Sequence, residues 1–212
     1  MPTHRTTPRG FLPGASALIL AGAVALLAAL PAQAHDNRSA GAAKARSAGA
    51  AAGSGVPQLV FPVVAPTVFR DDFGEQRARW PHPGNDLVAA KRSPVLAVES
   101  GVVSFYTRSA SAGCMLYLRG DSGTVYQYVH LNNDLGAGND NRGGCTGGVA
   151  WPASLRDGQR VAAGQLIGYV GDSGDANGAP AHLHFEVRPG GGAPVSPYPW
   201  LVAAKRLAAP AA

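Results

Sequence analysis

Two histidines lie two positions apart in the segment HLHFE, a spacing that places them side by side if the segment is a strand. Successive side chains of a strand point to opposite faces, so His182, His184 and Glu186 share one face. Leu183 and Phe185 then lie on the other face, which we expect to pack into the core. A histidine on a strand face is most often a hydrogen-bonded surface residue. Its chemistry therefore depends on which other side chains reach that face.

Two more histidines of the predicted domain adjoin turns or strand ends. His82 and Asp86 lie four residues apart across a Pro-Gly turn in HPGND, close enough to bind one ion. His130 ends the run TVYQYVHL, where alternation predicts that it shares a face with Tyr126 and Tyr128. Imidazoles and a carboxylate suit Zn²⁺, whose catalytic sites keep three protein ligands and one position for water. Four histidines and one aspartate would supply those ligands and two histidines to transfer protons during hydrolysis.

Short strands are the elements that must position these side chains. Apolar runs such as SPVLAVESGVVSFY and CMLYLRGDSGTVYQYVHL are rich in Val, Tyr and Leu and end at Gly, Asn or Asp. This pattern predicts a mainly β domain, an antiparallel sandwich or open barrel with long loops and few or no helices. Only the tail YPWLVAAKRL is expected to form one short helix. The two GDSG segments, at 120–123 and 171–174, are typical of turns and lack the partners of a serine protease.

The order of the motifs along the chain resembles the LytM or lysostaphin-type zinc endopeptidases of peptidase family M23. The resemblance runs from HPGND through YVHL to HLHFEV and covers nearly all of the predicted domain. It implies an antiparallel β fold with an open groove that cleaves peptide bonds in peptidoglycan stems or cross-bridges. It also implies one zinc ion, with His82, Asp86 and His184 as its ligands. His130 and His182 would then assist catalysis, one as general base and the other at the oxyanion, and the resemblance favours His182 as the base.

The chain departs from the usual pattern of this family around the groove. Its polar, glycine-rich loop 132–150 is longer than the usual link after Y-x-H-L, and we expect it to line the groove. Some members that cut glycine bridges carry a tyrosine shortly before the first histidine, whereas GEQRARWPH has none. Cleavage of bonds to D-Ala or to a diamino acid is therefore favoured over cleavage of glycine bridges. For Glu186 and Arg188, support of the metal ligands is one interpretation, but we expect a surface ion pair.

A rival hypothesis is a protein that binds peptidoglycan or activates an amidase without being an enzyme. Relatives of that kind have usually lost ligands or catalytic histidines. This chain keeps all five residues that the resemblance assigns, which favours the enzyme. A third hypothesis, a closed structural zinc site, would use four ligands and would not explain the surplus histidines.

Cys114 and Cys145 are expected to form a disulfide. They are the two cysteines of a chain that we expect to be exported, and oxidation is permitted outside the cytoplasm. On the loop-entropy relation such a bond contributes about 3–4 kcal/mol of stability. The alternative is a pair of free thiols. The spacing does not match zinc-finger ligands, since the chain has no C-x-x-C pair.

The first 34 residues have the features of a secretory signal peptide. Arg5 and Arg9 precede an uncharged apolar stretch, which is followed by the cleavage site AQA at 32–34. The alternative is an uncleaved membrane anchor, but the apolar part, residues 15–30, is short for a bilayer core of ~30 Å. We therefore expect an exported protein in the periplasm, the cell wall or the medium, without a membrane span after cleavage.

The composition of the rest of the chain indicates its division into segments and limits the classes of partner that we expect. Residues 35–56 are rich in Ala, Gly and Ser and predict a flexible linker; 57–206 form the expected peptidase domain and 207–212 a tail. The isoelectric point is near 9.6. Residues 57–206, however, hold 13 Lys and Arg against 12 Asp and Glu, without the basic stripe of a nucleic-acid-binding domain. The expected partners are peptidoglycan peptides, bound by a monomer.

Overall fold

The computed structural model describes residues 57–207. The expected signal peptide (1–34), the linker (35–56) and all but the first residue of the expected tail lie outside this range. Within it, no helix has both the length and the apolar character needed to cross a bilayer. Export and processing of the chain stay predictions.

Short strands dominate the regular structure of the described residues. The strands are β1 (Asn85–Val88), β2 (Pro94–Leu96), β3 (Gly101–Tyr106), β4 (Cys114–Gly120), β5 (Val125–Leu131), β6 (Arg160–Val161), β7 (Leu166–Tyr169) and β8 (His182–Arg188). The helix α1 spans Tyr198–Ala203, and turns of 3₁₀-helix cover Gly174–Ala176 and Pro189–Gly191. The predicted mainly β class is confirmed, and the tail segment forms the expected short helix.

Six of these strands form one antiparallel sheet. Their order is β1-β8-β5-β4-β3-β6, while β2 and β7 pair separately, and the six-stranded sheet does not close on itself. Strands β3, β4 and β5 follow one another as hairpins, whereas β8 comes from much later in the chain and lies between β5 and β1. This insertion places the segment HLHFE beside both HPGND and YVHL.

One face of the six-stranded sheet packs into the core. On β8 the side chains of Leu183, Phe185 and Val187 have no solvent exposure, as the alternation predicts. The Phe185 ring lies against two buried tyrosines of β5, with centroids 6.1 Å from Tyr126 and 5.3 Å from Tyr128. Burying a large apolar side chain stabilises a fold by roughly 1.5–3 kcal/mol. Strand β8 is therefore fixed from its apolar side, which leaves its polar side free for chemistry.

The loop 132–150 is anchored at two points. Cys145 is bonded to Cys114 at the start of β4, with 5.0 Å between the Cα atoms, so the predicted disulfide is confirmed. The carboxylate of Asp134, which is fully buried, accepts a hydrogen bond from Lys91 Nζ at 2.6 Å. Because Lys91 belongs to the connection between β1 and β2, these anchors hold the loop against the frame of the sheet.

Replacing both cysteines by serine should lower the free energy of unfolding by about 3–4 kcal/mol. The cause is the entropy that a 31-residue loop regains in the unfolded chain when it is no longer closed. Urea unfolding of the oxidised protein, the reduced protein and the double-serine variant measures the effect. The reduced protein should match the variant. Unfolding free energies within about 0.5 kcal/mol of one another in all three samples would contradict a stabilising disulfide.

Candidate active site

The polar face of the sheet brings together the first three predicted site residues. Asp86 on β1 lies directly opposite His184 on β8 in the antiparallel register. His82 precedes β1, and its backbone N–H donates to the Glu75 carbonyl at 2.8 Å. This bond holds the segment that leads into β1. Both histidines are buried, while Asp86 is partly exposed. Cross-strand neighbours on one face lie within reach of each other, so the pairing alone explains how a late segment meets an early one.

Three acceptor atoms converge at this point. His82 Nε2 is 2.8 Å from His184 Nδ1 and 3.1 Å from Asp86 Oδ1, and His184 Nδ1 is 3.0 Å from the same oxygen. The other nitrogen of each ring has its own acceptor: His82 Nδ1 lies 3.1 Å from the Asp72 carbonyl oxygen and His184 Nε2 lies 3.2 Å from Glu186 Oε1. If the ring protons are on those nitrogens, two lone pairs and a carboxylate oxygen face one another. Such a cluster requires a positive charge between its members.

The pKa values reflect the same attraction for positive charge. Burial disfavours the charged form of His184, but hydrogen bonds to Asp86 and Glu186 outweigh it and raise the pKa of His184 to about 9. Burial likewise opposes ionisation of Asp86, yet His184 and His82 hold the pKa of this carboxyl well below its usual range. The cluster therefore stabilises one bound proton, or a metal ion that would replace it.

The cluster fits zinc in its donor types and in its spacing. Ligands about 2.0–2.1 Å from a tetrahedral zinc lie about 3.3 Å apart. The three atoms are separated by 2.8, 3.0 and 3.1 Å, so small shifts would bring them to that distance. Two imidazoles and one carboxylate also leave the fourth position open, as a catalytic zinc requires. Binding of zinc by His82, Asp86 and His184 stays a prediction.

The ligand candidates are held from behind by Arg77, which the sequence did not single out, and by Glu186. Arg77 Nη2 donates to Asp86 Oδ2 at 3.1 Å and to Asp72 Oδ2 at 3.1 Å, which leaves Oδ1 of Asp86 for the cluster. The expected ion pair between Glu186 and Arg188 is present, with 2.7 Å from Arg188 Nε to Glu186 Oε2. Its expected position at the surface is wrong, because Glu186 is only 5% exposed and also contacts His184.

Two further histidines line the groove beside the cluster. His182 Nδ1 is 2.8 Å from the Pro180 carbonyl oxygen, and His130 Nδ1 is 2.8 Å from that of Ser173. Only a ring nitrogen that carries a proton can donate to a carbonyl, so in the neutral form of each ring the contact places the proton on Nδ1 and the lone pair on Nε2. The two ring centroids are 5.1 Å apart. His182 Nε2 lies 3.8 Å from Asp86 Oδ1, which places it next to the metal-ligand candidates.

His130 reaches the groove through a local break in its strand. Its φ angle of 61° lies in the left-handed region, which few residues other than glycine adopt. The prediction that it shares a face with Tyr126 and Tyr128 is wrong: the tyrosines lie in the core, whereas His130 lines the groove with Gln127 and Val129. The left-handed residue ends the two-residue alternation at the end of β5.

The environment of His130 favours a neutral ring. Burial, followed by electrostatic repulsion from the neighbouring His182 and His184, lowers the pKa of His130 to about 4. The carboxylate of Asp175 acts in the opposite direction, with Oδ1 3.7 Å from His130 Nε2. The ring is therefore neutral near pH 7 and has a carboxylate nearby that would stabilise a proton if one were supplied.

A groove of about 460 Å³ runs over these five residues. Its walls come from the segment before β1, the β3–β4 connection and the segment before β8, and include Trp80, Ser111, Ala112, Ala176 and Ala179. No residue of the loop 132–150 lines it, so the prediction that this loop forms a wall is wrong. The loop instead supports a wall from outside, where Asn141 Nδ2 donates to Asn177 Oδ1 at 3.1 Å.

Neither GDSG segment supplies a nucleophile. Ser122 lies in a turn and bonds the carboxylate of Glu99 at 3.0 Å. Ser173 is buried, and its hydroxyl donates to the Leu131 carbonyl at 2.6 Å while its own carbonyl accepts from His130. Ser173 thus positions a histidine through its backbone, a role that residue type and spacing do not signal.

Comparison with known proteins gives a family and a fold. Residues 150–197 match the sequence profile of Peptidase family M23. The chain is 31% identical over 116 residues to the DD-carboxypeptidase/endopeptidase Mpg of Neisseria meningitidis serogroup B, a match that covers 55% of this chain and 22% of that protein. It is 30% identical over 105 residues to the peptidoglycan DD-endopeptidase ShyC of Vibrio cholerae, covering 50% of this chain and 19% of that protein. These matches span about a fifth of the length of either relative.

The fold is similar to that of lysostaphin, an antimicrobial peptidase from Staphylococcus simulans. The TM-score is 0.51 at 22% sequence identity, over 70% of this chain and 55% of the lysostaphin chain. At this level of identity the likeness concerns the fold. It agrees with the open antiparallel sheet described above.

Replacing Arg77 by alanine should weaken zinc binding about tenfold to a hundredfold, since Asp86 would lose the group that orients its second oxygen. Competition titration with a chromophoric chelator measures the zinc affinity directly. Arg79→Ala is the matched control, because this exposed neighbour removes the same charge two residues away. Equal affinities in the two variants would show that Arg77 does not position the ligand.

Proposed function

The chain belongs to peptidase family M23, and on this basis we propose that it is an exported zinc-dependent endopeptidase that hydrolyses peptide bonds of peptidoglycan. The observation that carries the proposal is the convergence of His82 Nε2, His184 Nδ1 and Asp86 Oδ1 within 3.1 Å in a groove. Three acceptors with an open side are the arrangement of a catalytic rather than a structural metal site. The two remaining histidines lie where a substrate at that side would meet them.

His82, Asp86 and His184 would hold the zinc ion. When bound there, zinc supplies Lewis acidity that polarises a peptide carbonyl and makes water nucleophilic near neutral pH. The protein contributes the orientation of these ligands. Arg77 fixes Asp86, and Glu186 fixes the His184 ring through Nε2. Partners of this kind are needed to keep three ligands aimed at one point.

We assign the general base to His182. Its Nε2 is 3.8 Å from Asp86 Oδ1, and the contact of Nδ1 with the Pro180 carbonyl fixes the tautomer that leaves Nε2 unprotonated. In this role Nε2 accepts the proton of the attacking water and later transfers it to the leaving amine. The resemblance to the family favours the same assignment.

His130 is assigned to the oxyanion. A proton that Nε2 takes up from solvent would let the ring donate a hydrogen bond to the charge that develops on the carbonyl oxygen. Burial lowers the pKa of His130 to about 4, so the free ring is neutral, but Asp175 lies 3.7 Å away and favours the protonated form as negative charge develops. Charge formation in the transition state and protonation of His130 would therefore support each other.

The bond that we propose is one involving a D-amino acid of the peptide. The relatives Mpg and ShyC are DD-endopeptidases by name, and this chain lacks the tyrosine before His82 that some glycine-bridge-cutting members carry. Export through residues 1–34 to the periplasm, cell wall or medium fits a peptidoglycan substrate. The disulfide between Cys114 and Cys145 fits an oxidising compartment as well.

The decisive test uses residues 35–212, purified with zinc and incubated with sacculi. Loss of turbidity and release of new amino termini, identified by mass analysis, are expected from the wild-type protein. His184→Ala and a chelated sample should release none, and zinc should restore the chelated sample. The masses of the fragments also identify the bond that is cleaved.

The rival hypothesis of a non-catalytic peptidoglycan binder or amidase activator predicts a different result. In that case the protein sediments with sacculi and binds zinc but releases no fragment at any zinc concentration. Release only after addition of an amidase would establish the activator. Zinc-dependent release by the purified chain alone would exclude it.

The pairing of Asp175 with His130 gives a second prediction. Asp175→Asn should lower kcat about three- to tenfold, a modest loss because this carboxylate is 70% exposed, and should leave the zinc content unchanged. In a His130→Ala background, where kcat is already about 10²–10³-fold lower, the same substitution should have no further effect. A full additional loss in that background would mean that Asp175 acts independently of His130.

A further inference from the structure

The open face of the sheet continues beyond the metal-ligand candidates. On β8, His184, Glu186 and Arg188 follow one another at two-residue steps and share this face. In the register, Arg188 lies opposite Val125 of β5, which in turn lies opposite Arg119 of β4. The two arginines therefore flank one position on the face, two steps along the strands from His184.

A second cavity, of about 380 Å³, lies over this part of the sheet. Arg119, Arg188 and Tyr117 line it, and Gln127 lines both this cavity and the groove over the metal-ligand candidates. Gln127 and Tyr117 lie opposite each other in the row between the two ends. The two cavities thus form one path along the strands, with the cluster at one end and the arginines at the other.

The arginine end of this path carries positive charge that the protein does not neutralise. Arg119 is exposed and takes part in none of the ion pairs formed among residues 57–207. Arg188 is paired with Glu186, whose other oxygen contacts His184. Asp121 is engaged with Arg160 through both of its oxygens, at 3.0 and 2.7 Å. A ligand with its own negative charge would complement this end.

We propose that Arg119 and Arg188 form a subsite for a free carboxylate of the peptide substrate. The inference rests on the proposed peptidase function and specifies which substrates that function prefers. Arg188 lies four positions after His184 on β8, a distance of about 13 Å at the usual rise of a strand. An extended peptide whose scissile bond lies over the cluster would place a group about four residues away between the arginines.

The chemistry of the arginine end favours a carboxylate as its ligand. A guanidinium offers paired N–H donors in one plane, which match the two oxygens of a carboxylate. Peptidoglycan peptides carry such groups, both at the end of the stem and on side chains. Tyr117 and Gln127 supply an aromatic surface and an amide for the peptide between the ends. The subsite would thus select stems by the presence and position of a negative charge.

The test compares two forms of one cross-linked muropeptide preparation, with free carboxylates and with carboxylates amidated by carbodiimide and ammonia. For the wild-type protein with zinc, we expect kcat/KM to be about tenfold higher for the free form. Arg119→Gln should reduce this preference to near one, mainly by raising KM for the free form. Arg142→Gln is the control, since it removes the same charge from the loop 132–150 and should keep the preference. Salt should weaken the preference in the wild type, because the subsite is partly exposed.

A set of synthetic peptides with one carboxylate amidated at a time then identifies the group that is bound. Cleavage of both muropeptide forms at equal rates would overturn the subsite while leaving the peptidase intact. An equal loss of preference in Arg119→Gln and Arg142→Gln would also overturn it, because the preference would then come from the net charge of the protein and not from a specific subsite. Cleavage of neither form would instead count against the proposed function, so the two failures are distinguishable.

Discussion

The pairing of β1 with β8 is the constraint on which the site depends. It places Asp86 opposite His184 although they are 98 residues apart in the chain. The approach requires Gly84, because a Cβ atom there would overlap the carbonyl of Phe185 on β8. Any larger residue would push the turn that carries His82 away from the strand. A shift of the register by one residue would turn His184 into the core and bring Phe185 to the surface.

The second constraint is electrostatic. Around the converging acceptors lie three carboxylates, Asp72, Asp86 and Glu186, and two guanidinium groups, Arg77 and Arg188. Buried carboxylates are costly unless they are paired, and the arginines offset two of the three charges. The remaining negative charge has two neutral imidazoles beside it. One cation at the centre completes the balance, which agrees with the raised pKa of His184 and with the proposed binding of a divalent ion.

The sequence predicted those parts of the site that depend on regular backbone. Alternation placed His182 and His184 on one face of β8 and Leu183 on the other, because that strand stays extended. The same rule failed at His130, where a single left-handed residue redirects the side chain. The disulfide could be predicted because the chain offers only one pair of cysteines.

The other two failures, at the loop 132–150 and at Glu186, share a cause, which is contact between segments distant in the chain. The position of the loop 132–150 depends on a buried pair between Asp134 and Lys91, 43 residues apart. The side chain of Glu186 lies against the turn at Gly84, about 100 residues earlier in the chain, where an added Cβ atom would be 3.1 Å from its Cγ. Neither can be read from local pattern, whereas β8 itself carries four residues at successive two-residue steps: the proposed base His182, the proposed ligand His184, and then Glu186 and Arg188. A single strand thus fixes the spacing between the reacting centre and the rest of the groove. An extended peptide that lies along that strand has nearly the same rise per residue, so its groups would be spaced like the side chains of β8.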